Sequence, residues 1–409
     1  MPFVIYVLGL AVFAQGTSEF MLSGLLPDIA DSLNVSVATA GSLTSAFAIG
    51  IAVGAPLVAL LGRRWPRRVA LPAFLVTFEL MHVLGATTSS FPVLLITRLI
   101  AALANAGFIA VALTTVTAMV DENSKGRATS VLLSGVTVSL IAGVPLGALI
   151  GAHWGWRAVF WTVAAISIPP TIAILRAVPA DTTQPSERST RHELHALTRP
   201  GPVVLLLLGA LVNGATFCTL TYLAPVITDL TALSASWIPA ALVAFGIGAF
   251  TGVTIAGRLA DTRPTQLLAG GTTVLAVGWL LFAMNPTDPT TTFVFVFIQG
   301  VFSFAVGSTL LSQVLYKAAD APTLAGGFSV AALNVGTVIG PILGGLTLNT
   351  ALGYRAPILV SAALTCTALL LGTATLARKP IHTLITGGPT AEEARGGPSP
   401  TSRRSSERH

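Results

Sequence analysis

Twelve apolar runs, each about twenty residues or longer, follow one another near residues 3–26, 40–61, 69–88, 91–119, 128–151, 157–178, 202–226, 238–257, 265–284, 291–316, 325–349 and 356–377. A run of that length crosses the ~30 Å hydrocarbon core of a bilayer as a helix. In lipid every backbone N–H and C=O must be satisfied within the chain, which leaves helices or closed barrels. Only 9% of the 409 residues are charged, against about 25% in an ordinary soluble domain. The sequence therefore predicts an all-α membrane protein with twelve transmembrane helices. No Lys or Arg precedes the first run, so it reads as a retained span rather than a cleaved leader.

The net charge of +6 is not a nucleic-acid footprint. Basic residues sit in alternate short loops (Arg63, Arg64, Arg67, Arg68; Lys125, Arg127; Arg258, Arg263) and in the tail, while the opposite loops hold only Arg157 and Arg355. That bias puts both termini in the cytoplasm. Residues 179–201, PADTTQPSERSTRHELHALTRPG, are polar and Pro-punctuated and read as a cytoplasmic linker. They separate a six-helix half, 1–178, from a second one, 202–378; the Gly-, Pro-, Ser- and Arg-rich stretch 379–409 reads as a disordered cytoplasmic tail. Cys218 and Cys366 lie within apolar runs and form no metal or redox motif. Neither a phosphate-binding loop nor a cluster of Asp, His, Ser or Cys in a long loop is present. ATP coupling and membrane-embedded catalysis are thus not expected, and no cofactor is.

An internal repeat fixes the architecture. A constant offset of 198 residues links Pro27 to Pro225, Asp31 to Asp229, Phe47 to Phe245, Gly50 to Gly248, Gly54 to Gly252, Pro66 to Pro264, Gly147 to Gly345 and Arg157 to Arg355. Two parallel copies of a six-helix unit resemble the major facilitator architecture, two pseudo-symmetric halves with a substrate site between them near mid-membrane.

The motifs agree. GAPLVALLGRRWPRR, from Gly54 through Arg64, Arg67 and Arg68, and GVTIAGRLADTRP, which holds Gly257 and Asp261, resemble the facilitator loop motif G-x-x-x-D-R-x-G-R-R. There small residues let helices approach and charges latch the cytoplasmic side. The first copy has Arg63 for the family's Asp and Pro66 for its Gly, so the latch is split between copies. Arg98 occupies the arginine position of the facilitator motif R-x-x-Q-G, with Asn105 on the same helix face; the repeat partner keeps Gln299 and Gly300 but has Val296 for the arginine. An arginine within a span must pair or reach water, which turns Arg98 to the bundle interior. Span five contains Gly143, Pro145 and Gly147, and span eleven contains GTVIGPILGG with Gly340, Pro341 and Gly344. The latter matches the facilitator antiporter motif, in which glycines bring backbones together and the proline bends the helix.

Glu19 lies within the first apolar run, where an unpartnered carboxylate is costly. Gln15, Glu19 and Ser23 recur at helical spacing and predict one polar stripe facing a cavity; their repeat partners are Asn213, Phe217 and Thr221. The halves differ at one point, carboxylate against ring. This predicts proton coupling through Glu19 and Arg98, and substrate contacts from Gln15, Asn105, Asn213, Phe217 and Gln299. Glu79 and His82, at i and i+3 on a peripheral span, read as a local acid–imidazole pair.

The segments MPFVIYVLGLAVFAQGTSEFMLSGLLPDIA, ALANAGFIAVAL, KGRATSVLLSGVT and GATFCTLTYLAP resemble the chloramphenicol-resistance exporters of high-GC Gram-positive bacteria, a drug:proton antiporter branch of the major facilitators. The resemblance implies efflux of chloramphenicol or a related small neutral amphiphilic drug, and hence antibiotic resistance. It further implies drive by the proton gradient without a cofactor, and a monomer working in the lipid bilayer of the cell membrane. Its partners would be drug and protons, with no nucleic acid. Sugar or metabolite transport on the same fold is the alternative, since facilitators with the same "EF" first-span pattern are assigned to sugars.

Overall fold

The computed structural model describes residues 2–61, 66–121, 125–177, 190–260, 262–318, 321 and 324–377. In chain order its helices are α1 (Phe3–Phe20), α2 (Leu26–Leu33), α3 (Val37–Leu61), α4 (Arg67–Thr87), α5 (Phe91–Ala118), α6 (Lys125–Val138), α7 (Val144–Trp154), α8 (Trp156–Ala177), α9 (Thr190–Leu197), α10 (Pro200–Thr221), α11 (Leu223–Pro225), α12 (Ile238–Leu259), α13 (Pro264–Met284), α14 (Pro289–Lys317), α15 (Leu324–Thr347) and α16 (Arg355–Ala377). Twelve stretches are long and apolar enough to cross a membrane, as the apolar runs require.

Prolines decide where the runs depart from straight helices. The first run breaks after Phe20 into a tight turn, Met21–Gly24, and resumes as α2 with Pro27 in its first turn, where a missing N–H costs nothing. In the fifth span a π turn, Ser139–Gly143, joins α6 to α7. Pro145 cannot donate to the carbonyl four residues back, and the wider turn just ahead of it absorbs the mismatch. Its counterpart α15 runs unbroken through Pro341. Hydroxyls from two neighbours bond carbonyls there: Ser45 of α3 donates to Val338 at 3.1 Å and Tyr222 to Pro341 at 2.8 Å.

Matching helix pairs pack in the two sets of six spans: α1 with α6 and α10 with α15, α3 with α5 and α12 with α14, α4 with α5 and α13 with α14. Glycine sets the tightest of these. A Cβ at Gly336 or Gly340 would overlap the Ala210 or Gly214 carbonyl of α10, so α15 and α10 lie backbone to backbone. Across the two sets, α3 packs along α15, while α12 meets the π turn and α7 and only grazes α6. Tyr222, wholly buried, wedges this seam; a Cβ at Gly41 or Gly345 would lie 2.6 or 2.7 Å from its hydroxyl.

The repeat-related arginines do the same work at one end of the bundle. Arg157, at the start of α8, donates to the Thr88 carbonyl at the end of α4 at 3.0 Å and to Ser32 at 3.0 Å. Arg355, at the start of α16, donates to the Ala283 and Met284 carbonyls at the end of α13. Each cation thus sits on the negative end of a helix dipole. At the other end, α9 falls within the expected linker, and its Glu193 carboxylate accepts the Leu324 N–H at 3.0 Å, capping α15. Residues 179–189 of the linker, the tail 379–409, Arg64, Asp261 and the side chain of Arg67 lie outside the described residues.

Gly336→Ala is expected to cost about 1–3 kcal/mol by forcing α10 and α15 apart, read as a lowered unfolding temperature in detergent. Gly257→Ala is the control, because among the described residues nothing lies within 4 Å of the added methyl; alanine's better helix propensity should leave stability unchanged or slightly raised.

Candidate functional site

The polar end of α1, Thr17-Ser18-Glu19, meets α4 and α5 at a buried cluster. Ser18, His82 and Arg98 are at most 1% exposed. Arg98 reaches from α5 to donate Nη1–H to Ser18 Oγ at 2.7 Å and Nη2–H to the Ser18 carbonyl at 2.9 Å. Its guanidinium lies 4.1 Å from the centre of the Phe47 ring of α3, which supplies a cation–π contact. Ser18 Oγ also lies 2.6 Å from His82 Nε2, and His82 Nδ1 lies 2.7 Å from the Phe78 carbonyl. The rings of Phe78 and Phe160 close the pocket around the imidazole.

Glu19, next in the chain, remains partly accessible deep within the bundle. It interacts with Arg98 through space. One residue on, Phe20 stacks on Phe217 of α10, centroids 5.7 Å apart, joining the first and seventh spans. Gln15, one turn before Glu19, and Asn105, two turns beyond Arg98 on α5, are buried with both amide atoms unpartnered. Buried unpaired amides of that kind match a polar ligand or bound water.

Other expected residues lie elsewhere. Asn213 is tied to α15, donating to the Leu333 carbonyl at 2.8 Å and Thr337 Oγ1 at 2.7 Å. Gln299 lies against α13, its Nε2 donating to the Leu275 carbonyl at 3.3 Å while its buried Oε1 has no hydrogen-bond partner among the described residues. The polar stripe of α1 stops at Glu19, since Ser23 lies in the tight turn beyond the helix end. Glu79 and His82 are not a pair: Thr171 of α8 donates to Glu79 at 2.5 Å, while His82 turns to Ser18. Residues three apart lie only about 60° from each other around a helix, so the two side chains diverge through the partners each finds, Thr171 on α8 and Ser18 on α1.

Among the motif glycines, Gly54 packs on Leu103 and Ala106 of α5, Gly143 on Thr17, and Gly344 on Cys218 and Tyr222; Gly147 makes only ordinary contacts with Val159 and Met21. Gly340 and Pro341 carry the α10–α15 contact and the Tyr222 bond described above. Pro145 follows the π turn. Gly257 has nothing within 4 Å of an added Cβ among the described residues; Arg64 and Asp261 of the same motif lie outside them. Arg68 is exposed. Sequence reasoning missed Ser18, Phe47 and Tyr222; the only signal for Ser18 was its place in a polar triplet within an apolar run.

Twelve spans around a buried ionic cluster and unpartnered amides define a polytopic membrane transporter. The chain belongs to the Major Facilitator Superfamily, whose model matches residues 8–323 and 206–400. It is 51% identical over 398 residues to the chloramphenicol resistance protein of Streptomyces lividans, covering 97% of this chain and 100% of that one. It is 30% identical over 347 residues to the inner membrane transport protein YdhP of Escherichia coli strain K12, covering 85% and 89%. The fold is similar, with a TM-score of 0.73 and 17% identity, to a bacterial homologue of the human lysosomal transporter Spinster, over 92% of this chain and 97% of that one.

Arg98→Lys is expected to behave as a loss rather than a conservative change. An ammonium cannot fork onto the Ser18 hydroxyl and carbonyl or lie flat on Phe47, so stability should fall by about 1–3 kcal/mol. Thermal unfolding of the purified variant measures it.

Proposed function

We propose that this chain exports chloramphenicol, or a small neutral drug of the same kind, in exchange for protons. It works as a monomer in the cell membrane with both termini cytoplasmic. The observation that carries the drug assignment is the 51% identity held across 97% of the chain to a chloramphenicol resistance protein. Glu19 supports the coupling. Of the two carboxylates within the spans, Glu79 is bonded to α8, whereas Glu19 is partly accessible beside the fixed cation Arg98.

The mechanism follows from those groups. Glu19 takes up a proton when the cavity opens outward and releases it when the cavity opens inward and drug enters. Arg98 stabilises the ionised carboxylate, so proton release can accompany drug entry while the drug's ring is met by separate residues. Gln15 and Asn105 offer donors and acceptors to hydroxyl and amide groups of the drug, and Phe217, stacked on Phe20, offers an apolar face to its aromatic ring.

A pump-deficient host expressing the chain should gain chloramphenicol resistance that a protonophore abolishes. Glu19→Gln should drop resistance to the level of the empty vector while leaving drug binding to purified protein intact but no longer pH-dependent. Full resistance with retained pH dependence would remove Glu19 from the coupling role.

Phe217→Ala should show the opposite pattern. It strips an aromatic contact worth about 0.5–1.5 kcal/mol beyond its buried area, weakening chloramphenicol binding several-fold while drug-independent proton exchange persists. Equal loss of binding in Phe217→Ala and Glu19→Gln would leave one undivided site. Sugar-induced, rather than drug-induced, proton movement in vesicles would replace the drug assignment.

A further inference from the structure

Two hydrogens of the buried cluster are fixed by their partners, and charge decides the third. A backbone carbonyl only accepts, so the Phe78 carbonyl requires a hydrogen on His82 Nδ1. A guanidinium only donates, so Ser18 Oγ accepts from Arg98 Nη1 and has its own hydrogen free to give to His82 Nε2. The neutral imidazole completes this set, its one lone pair accepting from Ser18; an imidazolium would instead share the Ser18 oxygen with the Arg98 cation.

We infer that His82 and Ser18 are positioning residues for proton coupling. The imidazole holds the Ser18 hydroxyl in the orientation that receives Arg98, and this fixes the guanidinium at its distance from Glu19. The inference rests on Glu19 being the coupling group. A helical hydroxyl otherwise bonds the carbonyl four residues back. Thr17, next door, does so, donating to Phe13 at 2.8 Å. Without His82, Ser18 has that alternative, and one prong of the Arg98 fork loses its registered partner.

A proton-carrying role for His82 fits the surroundings less well. An imidazolium there would share Ser18 with the Arg98 cation, between the rings of Phe78 and Phe160. Like charges at that range in an apolar pocket are strongly unfavourable. The charged group beside it is Arg98 on α5; Glu79, on its own helix, is bonded to α8, whose Phe160 ring lies against the imidazole.

The test is chloramphenicol binding to the purified full chain across a pH series, with Glu19→Gln, His82→Ala, His82→Gln and Ser18→Ala. Wild type should show a pH midpoint and Glu19→Gln none; a midpoint surviving in Glu19→Gln would refute the coupling reading itself. With that reading intact, His82→Ala should displace the midpoint by about one unit, the scale of moving an opposite charge a few ångströms. His82→Gln should restore it, because its amide oxygen can accept from Ser18 but cannot carry the proton. A wild-type midpoint in His82→Ala overturns the inference. So does His82→Gln displaced as far as His82→Ala, which would make the imidazole's own proton the active one. Should His82→Ala not fold, Ser18→Ala decides the matter: a displaced midpoint supports positioning and an unchanged one refutes it.

Discussion

Arg98 is a guanidinium with almost no contact with solvent, inside a bundle that spans a bilayer. Desolvating such a charge costs several kcal/mol, and the first, second and third spans are packed around the fourth to offset that cost. Ser18 meets Arg98 with both its hydroxyl and its carbonyl, Phe47 covers its face, and His82 orients the hydroxyl. The end of α1 is thereby held against α4 and α5. Glu19 and Phe20, which follow immediately, are placed by the same attachment: one partly exposed within the bundle, the other against Phe217 of the opposite set of spans.

The two repeats answer a shared backbone plan with different chemistry. Arg157 and Arg355 cap equivalent helix ends, and glycines bring α1 to α6 and α10 to α15 alike. Inside, the first set is ionic, whereas the second is held by hydroxyls: Thr216 with Ser303 at 2.8 Å and Thr219 with Ser361 at 2.7 Å. Hydroxyl pairs of this kind join helices in a membrane without a charge to desolvate. Proline is also accommodated twice over, by a π turn before Pro145 and by neighbouring hydroxyls around Pro341.

The spans were legible because apolar length is a one-dimensional property of the chain, and close packing on α15 because glycine spacing is one too, though not that α10 is what it meets. The buried position of Arg98 followed from the expense of an intramembrane charge. Its partner did not. Ser18 is 80 residues away and His82 another 64 from Ser18, and nothing local in an apolar run says which of several hydroxyls will meet which side chain. Glu79 and His82 were misread together for the same reason, since sequence proximity was taken for contact. Gln299 shows the limit of a repeat: it keeps a motif letter in α14 yet faces α13, because the arginine that gives the other copy its polar role is Val296 here.

A fixed guanidinium beside a carboxylate also has an electrical consequence. With Glu19 ionised the cluster is neutral; with Glu19 protonated it carries one net positive charge, His82 being uncharged. Under the proposed exchange of one neutral solute for one proton, one charge would move inward per cycle, and each 100 mV of membrane potential would contribute about 2.3 kcal/mol to that movement. Export would continue on voltage alone when the inside and outside pH are equal.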